Sequence, residues 1–273
     1  MSISLLLAAA VALASASAPD YPQGQSAGAH SISLSYTLRL IGIPFGNLEY
    51  SAQFGASRYR AQMHFRTYGL AAVLWKSQID AAAQGRMTLD ALLPSSYTTR
   101  SVSRSGAHRV VRLDYSGKAV PAMTADPSYD LSAYALSDAQ KQGTVDPLTA
   151  ITAVVGGFSE AARPPCTATL PVFDGRRRYD IAFSFVRNEP QHGGMGEHPR
   201  LCKAEYRHIA GLKQDVVDVS QVPSIYVALD DVPVGARHYT VARAIWSSFL
   251  WGAVTARLTE AKLDGAVLPQ IAR

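Results

Sequence analysis

Beyond residue 18 the chain has no apolar run approaching the ~18 residues that a membrane-crossing helix requires. Cysteine is almost missing: Cys166 and Cys202 are the only two among 273 residues. That count excludes paired C-x-x-C zinc sites, and their separation of 36 positions excludes a C-x-x-C redox pair. The H-E-x-x-H and G-x-x-x-x-G-K-[ST] patterns are also absent, and with them the compact signatures of zinc proteases and P-loop NTPases. Charged residues are sparse at 17%, and 26 Lys+Arg against 21 Asp+Glu leave a net charge of only +5. The basic residues are scattered except at Arg176-Arg177-Arg178, so no nucleic-acid partner is expected. No cofactor is implied by these patterns. What the chain does have is a 48% hydrophobic fraction, enough to build a core rather than stay disordered.

The N-terminus reads as a secretory signal. Residues 3–13 are an unbroken run of Ile, Ser, Leu, Ala and Val, the length of a signal's apolar region and too short to span a bilayer. Ala14-Ser15-Ala16 and Ala16-Ser17-Ala18 both fit the A-x-A cleavage pattern, so a cut after Ala16 or Ala18 is expected. This predicts a periplasmic, soluble mature chain with no transmembrane span. In that compartment an isolated cysteine pair reads most economically as one disulfide, Cys166–Cys202, with two free buried thiols as the alternative.

The expected organisation is a signal peptide at 1–18, a mobile leader at 19–30, one β-rich domain at 31–263 and a tail at 264–273. Within the domain a period of two is clear. Ile32, Leu34, Tyr36, Leu38 and Leu40 share one face and Ser31, Ser33, Ser35, Thr37 and Arg39 the other. Leu48, Tyr50, Ala52 and Phe54 repeat the pattern, as do Tyr59, Ala61, Met63 and Phe65. Such runs, split by Gly42, Gly46 and Gly55, predict an antiparallel meander with one wet and one dry face. Residues 69–85 read as a strand, residues 117–143 as an irregular surface connection, and 166–173, 178–185, 203–209, 239–247 and 253–263 as further strands. Asp146 as N-cap and Pro147 as first residue predict a helix, with Leu148, Ile151, Thr152 and Val155 on its apolar stripe before Gly156-Gly157. The fold class is therefore mainly β: a curved antiparallel sheet or incomplete barrel with one helix packed on its apolar face.

Two stretches carry candidate chemistry. Asp174-Gly175 between alternating runs predicts a tight type I′ hairpin turn. Strand alternation would then put Arg176 and Arg178 on one side, where Asp180 could orient a guanidinium in an anion site. A solvated hairpin with neutralising Asp174 and Asp180 is the competing reading. The second stretch, from His192 through Met195 and Glu197 to His198, offers metal-ligand residue types in a glycine-rich loop, but at a spacing that fits no compact metal motif. No metal is expected there, and no catalytic residue is assigned anywhere.

Several of these residues resemble a family. Tyr36-x-Leu38 followed by Gly42 and Gly46, Leu93-Pro94 with Tyr97, Asp146-Pro147-Leu148, and Cys202, Tyr206 and Ala210-Gly211 all look like it. So, above all, does Val172-Phe173-Asp174-Gly175-Arg176-Arg177-Arg178-Tyr179-Asp180. The family is one of exported proteobacterial proteins classed as a domain of unknown function, and the resemblance spans residues 31–263. It implies an envelope location and a curved antiparallel sheet, and no activity. By architecture alone the chain is similar to periplasmic lipoprotein carriers, whose open barrels hold apolar chains against a helix. The expected function is a non-enzymatic envelope protein that binds an apolar or amphipathic ligand, or an envelope partner such as a lipoprotein or polymer. The rival expectation is a hydrolase acting on an envelope polymer, with a dispersed site around Arg176, Asp180 and a nearby histidine.

Overall fold

The computed structural model describes residues 30–69, 72, 76–88, 91–102, 106–116, 120–130, 134–155, 158–159, 165–190, 197–212, 223–234, 237–249 and 252–268. The expected signal, all of the leader but His30, and residues 192–196 of the histidine loop lie outside the described residues.

Within them the first half is a meander: β1 (His30–Leu40), β2 (Ile43–Phe54), β3 (Arg58–Thr67), β4 (Gln78–Met87), β5 (Leu92–Val102), β6 (His108–Asp114) and β7 (Ala122–Asp126). Helices α1 (Asp138–Lys141) and α2 (Pro147–Val154) follow. The second half holds β8 (Phe158–Ser159), β9 (Thr169–Phe173), β10 (Arg178–Asn188), β11 (Glu197–Ala210), β12 (Ile225–Val234), β13 (Arg237–Phe249), β14 (Gly252–Leu263) and β15 (Ala266–Val267). All fifteen described strands join one open sheet in the order β7-β6-β5-β4-β3-β2-β1-β14-β13-β12-β11-β10-β9, with β8 on β13 and β15 on β14. Every strand pair in it is antiparallel, and β14 returns to β1 with Ile32 opposite Leu263 and Leu38 opposite Ala256. The expected curved antiparallel sheet is what forms.

The dry face is the one the alternation marks. Ile32, Leu34, Tyr36, Tyr50, Ala52, Phe54, Tyr59 and Ala61 are buried, while intervening Ser33, Gln53 and Gln62 are exposed. Ala61, Ala81 and Ala83 keep that face shallow across β3 and β4, and α2 packs there against β3, β4, β5 and β9. Burial of Leu148 alone is worth about 1.5–3 kcal/mol. The helix begins as expected, with Asp146 Oδ1 accepting from the Thr149 backbone N–H at 2.9 Å. Its buried stripe differs from the apolar one. Leu148, Thr149, Thr152 and Val154 face the sheet, while Ile151 is turned outward, because the sheet meets this helix with tyrosine hydroxyls.

Three other expectations need correction. The strand within 69–85 begins only at Gln78, and Gly85 is not its bracket but a bulge position inside it. A Cβ there would fall 2.1 Å from the Leu93 carbonyl oxygen and 2.8 Å from Tyr59 Cε1. The connection at 117–143 contributes edge strand β7 and helix α1, whose Ser137–Gln140 capping box is formed. Strand β12 was unmarked in the sequence: Val227, Ala228, Leu229 and Asp230 are buried in succession, so no alternation announces it. At the C-terminal end, Ala266–Val267 pair with β14 and Leu268 is buried.

Cys166, in a 3₁₀ turn at Pro165–Thr167, and Cys202 on β11 are disulfide-bonded with Cα atoms 5.5 Å apart. The bond pins the segment before edge strand β9 across β10 onto β11. The other side of β9 is covered in turn: Val145 donates to the Pro171 carbonyl at 2.8 Å and accepts from the Phe173 N–H at 2.9 Å.

Candidate functional site

Three groups of polar side chains are positioned by this fold. The innermost lies between the dry face and α2. Thr149 Oγ1 donates to Asp146 Oδ2 at 2.5 Å, so the Tyr59 hydroxyl, 2.7 Å away, must donate to Thr149. A parallel relay runs from the Tyr50 hydroxyl to Thr152 Oγ1 at 3.1 Å and on to the Leu148 carbonyl at 2.8 Å. Asp146 is fully buried, and burial raises its carboxyl to about 6 against the opposing pull of the Thr149 hydrogen bonds. The same desolvation pushes the hydroxyls of Tyr36, Tyr50, Tyr59, Tyr97 and Tyr115 up, which keeps them neutral. The Asp146–Thr149–Tyr59 and Leu148–Thr152–Tyr50 chains form a polar clasp that fastens helix to sheet.

The second group is the arginine turn. It is a hairpin, with Phe173 opposite Arg178, but its loop runs over residues 174–177. Asp174 closes it by accepting the backbone N–H groups of Arg176 and Arg177 at 2.9 and 2.7 Å. Only Gly175 takes a positive φ, at 94°. A type I′ turn needs two such residues, so that expectation fails: the Asp174 carboxylate is used to bond the loop from within.

Since β10 starts at Arg178, strand alternation does not govern Arg176 and Arg177, and the three arginines part company. Arg176 donates to the Tyr134 hydroxyl at 3.1 Å and stacks near the rings of Tyr134 and Tyr129, with Arg109 on the Tyr129 ring at 4.3 Å. Arg177 pairs with Asp174 at 2.7 Å. Arg178 pairs with Asp180 at 2.6 Å, both partly buried. Asp180 stands opposite Arg207 on β11, and His208 stands opposite Tyr179. Arg178 and Asp180 are thus brought together, and Arg176 goes to different partners. The tip of this turn lies on the far edge of the sheet: a Cβ on Gly175 would be 2.6 Å from Val111 Cγ1 on β6. The hairpin therefore latches the seam between the two edges of the sheet.

The third group lies on the wet face, where sequence reading proposed nothing. One cross-strand row reads Arg66, Asn47, Thr37, Arg257 and Ala244 from β3 to β13. Arg39 and Trp246 flank Thr255 one step nearer the β1–β2 turn. Thr37, Arg39, Arg243, Trp246, Arg257 and Glu189 are among the residues lining a groove of about 550 Å³. Arg243 is held by Asp230 at 3.2 Å, and Glu189 takes the Arg187 guanidinium at 2.8 Å. Arg39 and Arg257 form no ion pair with a described residue; Arg39 donates only to the Gly42 carbonyl at 3.4 Å. A neighbouring groove of about 530 Å³ is lined by Asn47, Glu49, His64, Arg66, Thr67 and Tyr68. The only hint of these sites in the sequence was the polar side of the β1 and β14 alternation.

The model for the family described as Protein of unknown function (DUF3108) matches residues 33–256. The chain belongs to the DUF3108 family. No curated protein matches this DUF3108 chain. Among solved structures it is similar to the beta-barrel-like protein of domain of unknown function DUF1849 from Brucella abortus. The two share 12% sequence identity over 87% of this chain and 97% of that one, with a TM-score of 0.46.

No group of three or more His, Cys, Asp or Glu is placed to hold a metal ion among the described residues. No described helix is long and apolar enough to cross a membrane, which says nothing of strands. The DUF3108 chain also carries a G-x-S-x-G spacing at Gly24, Ser26 and Gly28, outside the described residues.

Proposed function

We propose that this DUF3108 protein is a non-enzymatic, exported protein of the cell envelope that binds an amphipathic anion, of fatty-acid or lysophospholipid kind. The observation that carries this reading is the wet-face groove, where two guanidiniums without an ion-pair partner among the described residues, Arg39 and Arg257, stand beside the indole of Trp246. Guanidinium suits a carboxylate or phosphate head, and an indole suits the chain that follows it. The dry face is engaged by α2 through the Tyr50 and Tyr59 relays. In this reading residues 1–18 are removed on export and the mature protein works in the periplasm. Arg176, through Tyr134 and Tyr129, then helps hold the hairpin in place, and Arg178 and Asp180 pair with each other along β10, instead of binding the ligand.

Titration of the purified protein with dodecyl phosphate below its micelle concentration, followed by tryptophan fluorescence, tests the reading. Saturable change that is lost in Trp246→Phe, and affinity weakened by about tenfold or more in Arg39→Gln/Arg257→Gln, is the expected result. Equal affinity in the double variant would remove the groove from the account.

A further inference from the structure

At one end of the sheet the ends of β3 and β4, of β1 and β2 and of β13 and β14 lie side by side, because these strands are neighbours in the order β4-β3-β2-β1-β14-β13. They are tied together: Ile41 donates to the Ala253 carbonyl at 2.9 Å, and Tyr68 donates to the Phe45 carbonyl at 2.9 Å. A Cβ on Gly252 would lie 2.6 Å from Ile41 Cγ1. Connections on a protein surface are normally polar. These are not. Ile41 is 60% and Ile43 70% exposed, and Tyr68 and Phe249 are exposed beside them. In sequence the same connections continue with Leu70, Val73, Leu74 and Trp75, and with Leu250 and Trp251.

The β1–β2 turn shows that the apolar tip is maintained against a local cost. Ile41 and Gly42 have φ of 50° and 80°, the two positive values of a type I′ turn. A β-branched residue is among the worst for that position. The same chain shows the favourable solution at Asp264-Gly265, where Asp264 and Gly265 have φ of 49° and 81°. At Ile41 the strain is accepted for a side chain that touches Gly252 yet stays mostly exposed.

The charge nearest this rim is mainly basic. Residues 39–48, 65–79 and 244–259 contain Arg39, Arg66, Lys76 and Arg257, while Glu49, Asp80 and Glu260 lie one paired row farther from it and Glu189 lines the groove beside Arg39. An apolar tip collared by cations complements one partner: the surface of a bilayer containing anionic phospholipid. Apolar and aromatic tips enter the interfacial zone while the collar meets the headgroups. From this geometry we infer that the rim formed by Ile41, Ile43, Tyr68 and Phe249 docks the protein peripherally on an anionic membrane surface. The inference extends the amphipathic-anion reading, since docking would set the Arg39–Arg257 groove next to its source of ligand, but it rests on different residues.

Co-sedimentation of the purified protein with vesicles tests it. Vesicles of phosphatidylcholine mixed with phosphatidylglycerol should carry the protein into the pellet, phosphatidylcholine alone much less, and salt at about 0.5 M should release it. Ile41→Gly relieves the strained φ, so its melting temperature should equal or exceed that of the parent. Combined with Ile43→Ser, it should lower vesicle binding by about tenfold or more. Dodecyl phosphate titration of this double variant should be unchanged, which separates failure of docking from failure of the groove. The inference is overturned if the parent stays in the supernatant with phosphatidylglycerol vesicles, or if the Ile41→Gly/Ile43→Ser protein pellets like the parent. A parent that ignores vesicles but forms a dimer dissolved by the double variant would also overturn it, and would make the rim a contact between two copies.

Discussion

The Tyr59 hydroxyl lies 2.7 Å from Thr149 Oγ1, and this one contact joins the dry face of the sheet to the N-terminal turn of α2. Because Thr149 in turn donates to Asp146, the helix cap and the sheet share a single hydrogen-bond chain. Tyr59→Phe removes a donor and should cost about 1 kcal/mol of unfolding free energy. Thr149→Val strands both Tyr59 and a buried carboxylate oxygen and should cost about 2–4 kcal/mol. Urea denaturation of the two variants should show that order. The reverse order would mean that the Tyr59 contact is not what anchors the helix.

Asp146 makes stability depend on pH. Its carboxyl is raised from 3.8 to about 6 by burial, so the folded state holds a proton that the unfolded chain releases. The contribution of Asp146 to stability is therefore fully present below about pH 4 and is lost as pH rises toward and through 6, by an amount of order 3 kcal/mol. Asn is an equally good cap, so Asp146→Asn should flatten this part of the melting-temperature profile. An unchanged profile in that variant would assign the dependence to another group.

Gly175 is required twice over, by its φ of 94° and by the nearness of Val111. Gly175→Ala should cost about 1–3 kcal/mol. Adding Val111→Ala should recover only the steric share. If Val111→Ala restores nothing beyond its own effect, the turn does not rest on β6.

The Cys166–Cys202 bond spans 36 positions, and removing it by Cys166→Ser/Cys202→Ser should cost about 4 kcal/mol in the chain-entropy picture. Thermal melts of the variant and of the reduced parent should shift down together. The intact mass of the exported protein should begin at Ser17 or Pro19 and lie about 2 Da below the dithiol form. A species that retains Met1 would contradict export with cleavage.

The first three strands, the disulfide partners and the start of α2 were legible in the chain, because each depends on contacts among near neighbours or on a count of two. A period of two places Tyr36, Tyr50 and Tyr59 on a common face whatever the sheet does next, and Asp146-Pro147 caps a helix from within its own first turn. Strand β12 escaped because burial on both faces erases alternation, and the Asp174 loop escaped because an internal carboxylate bond competes with the tight turn that Asp-Gly favours. The pairing of β1 with β14 was beyond any local signal. It alone brings Arg39 beside Thr255 and Thr37 beside Arg257, and it sets the Ile41 turn against Ala253. Residues more than two hundred positions apart meet only when β14 returns to pair with β1, so the groove and the apolar rim belong to the tertiary structure, while the residue types that give them their chemistry were written in the sequence.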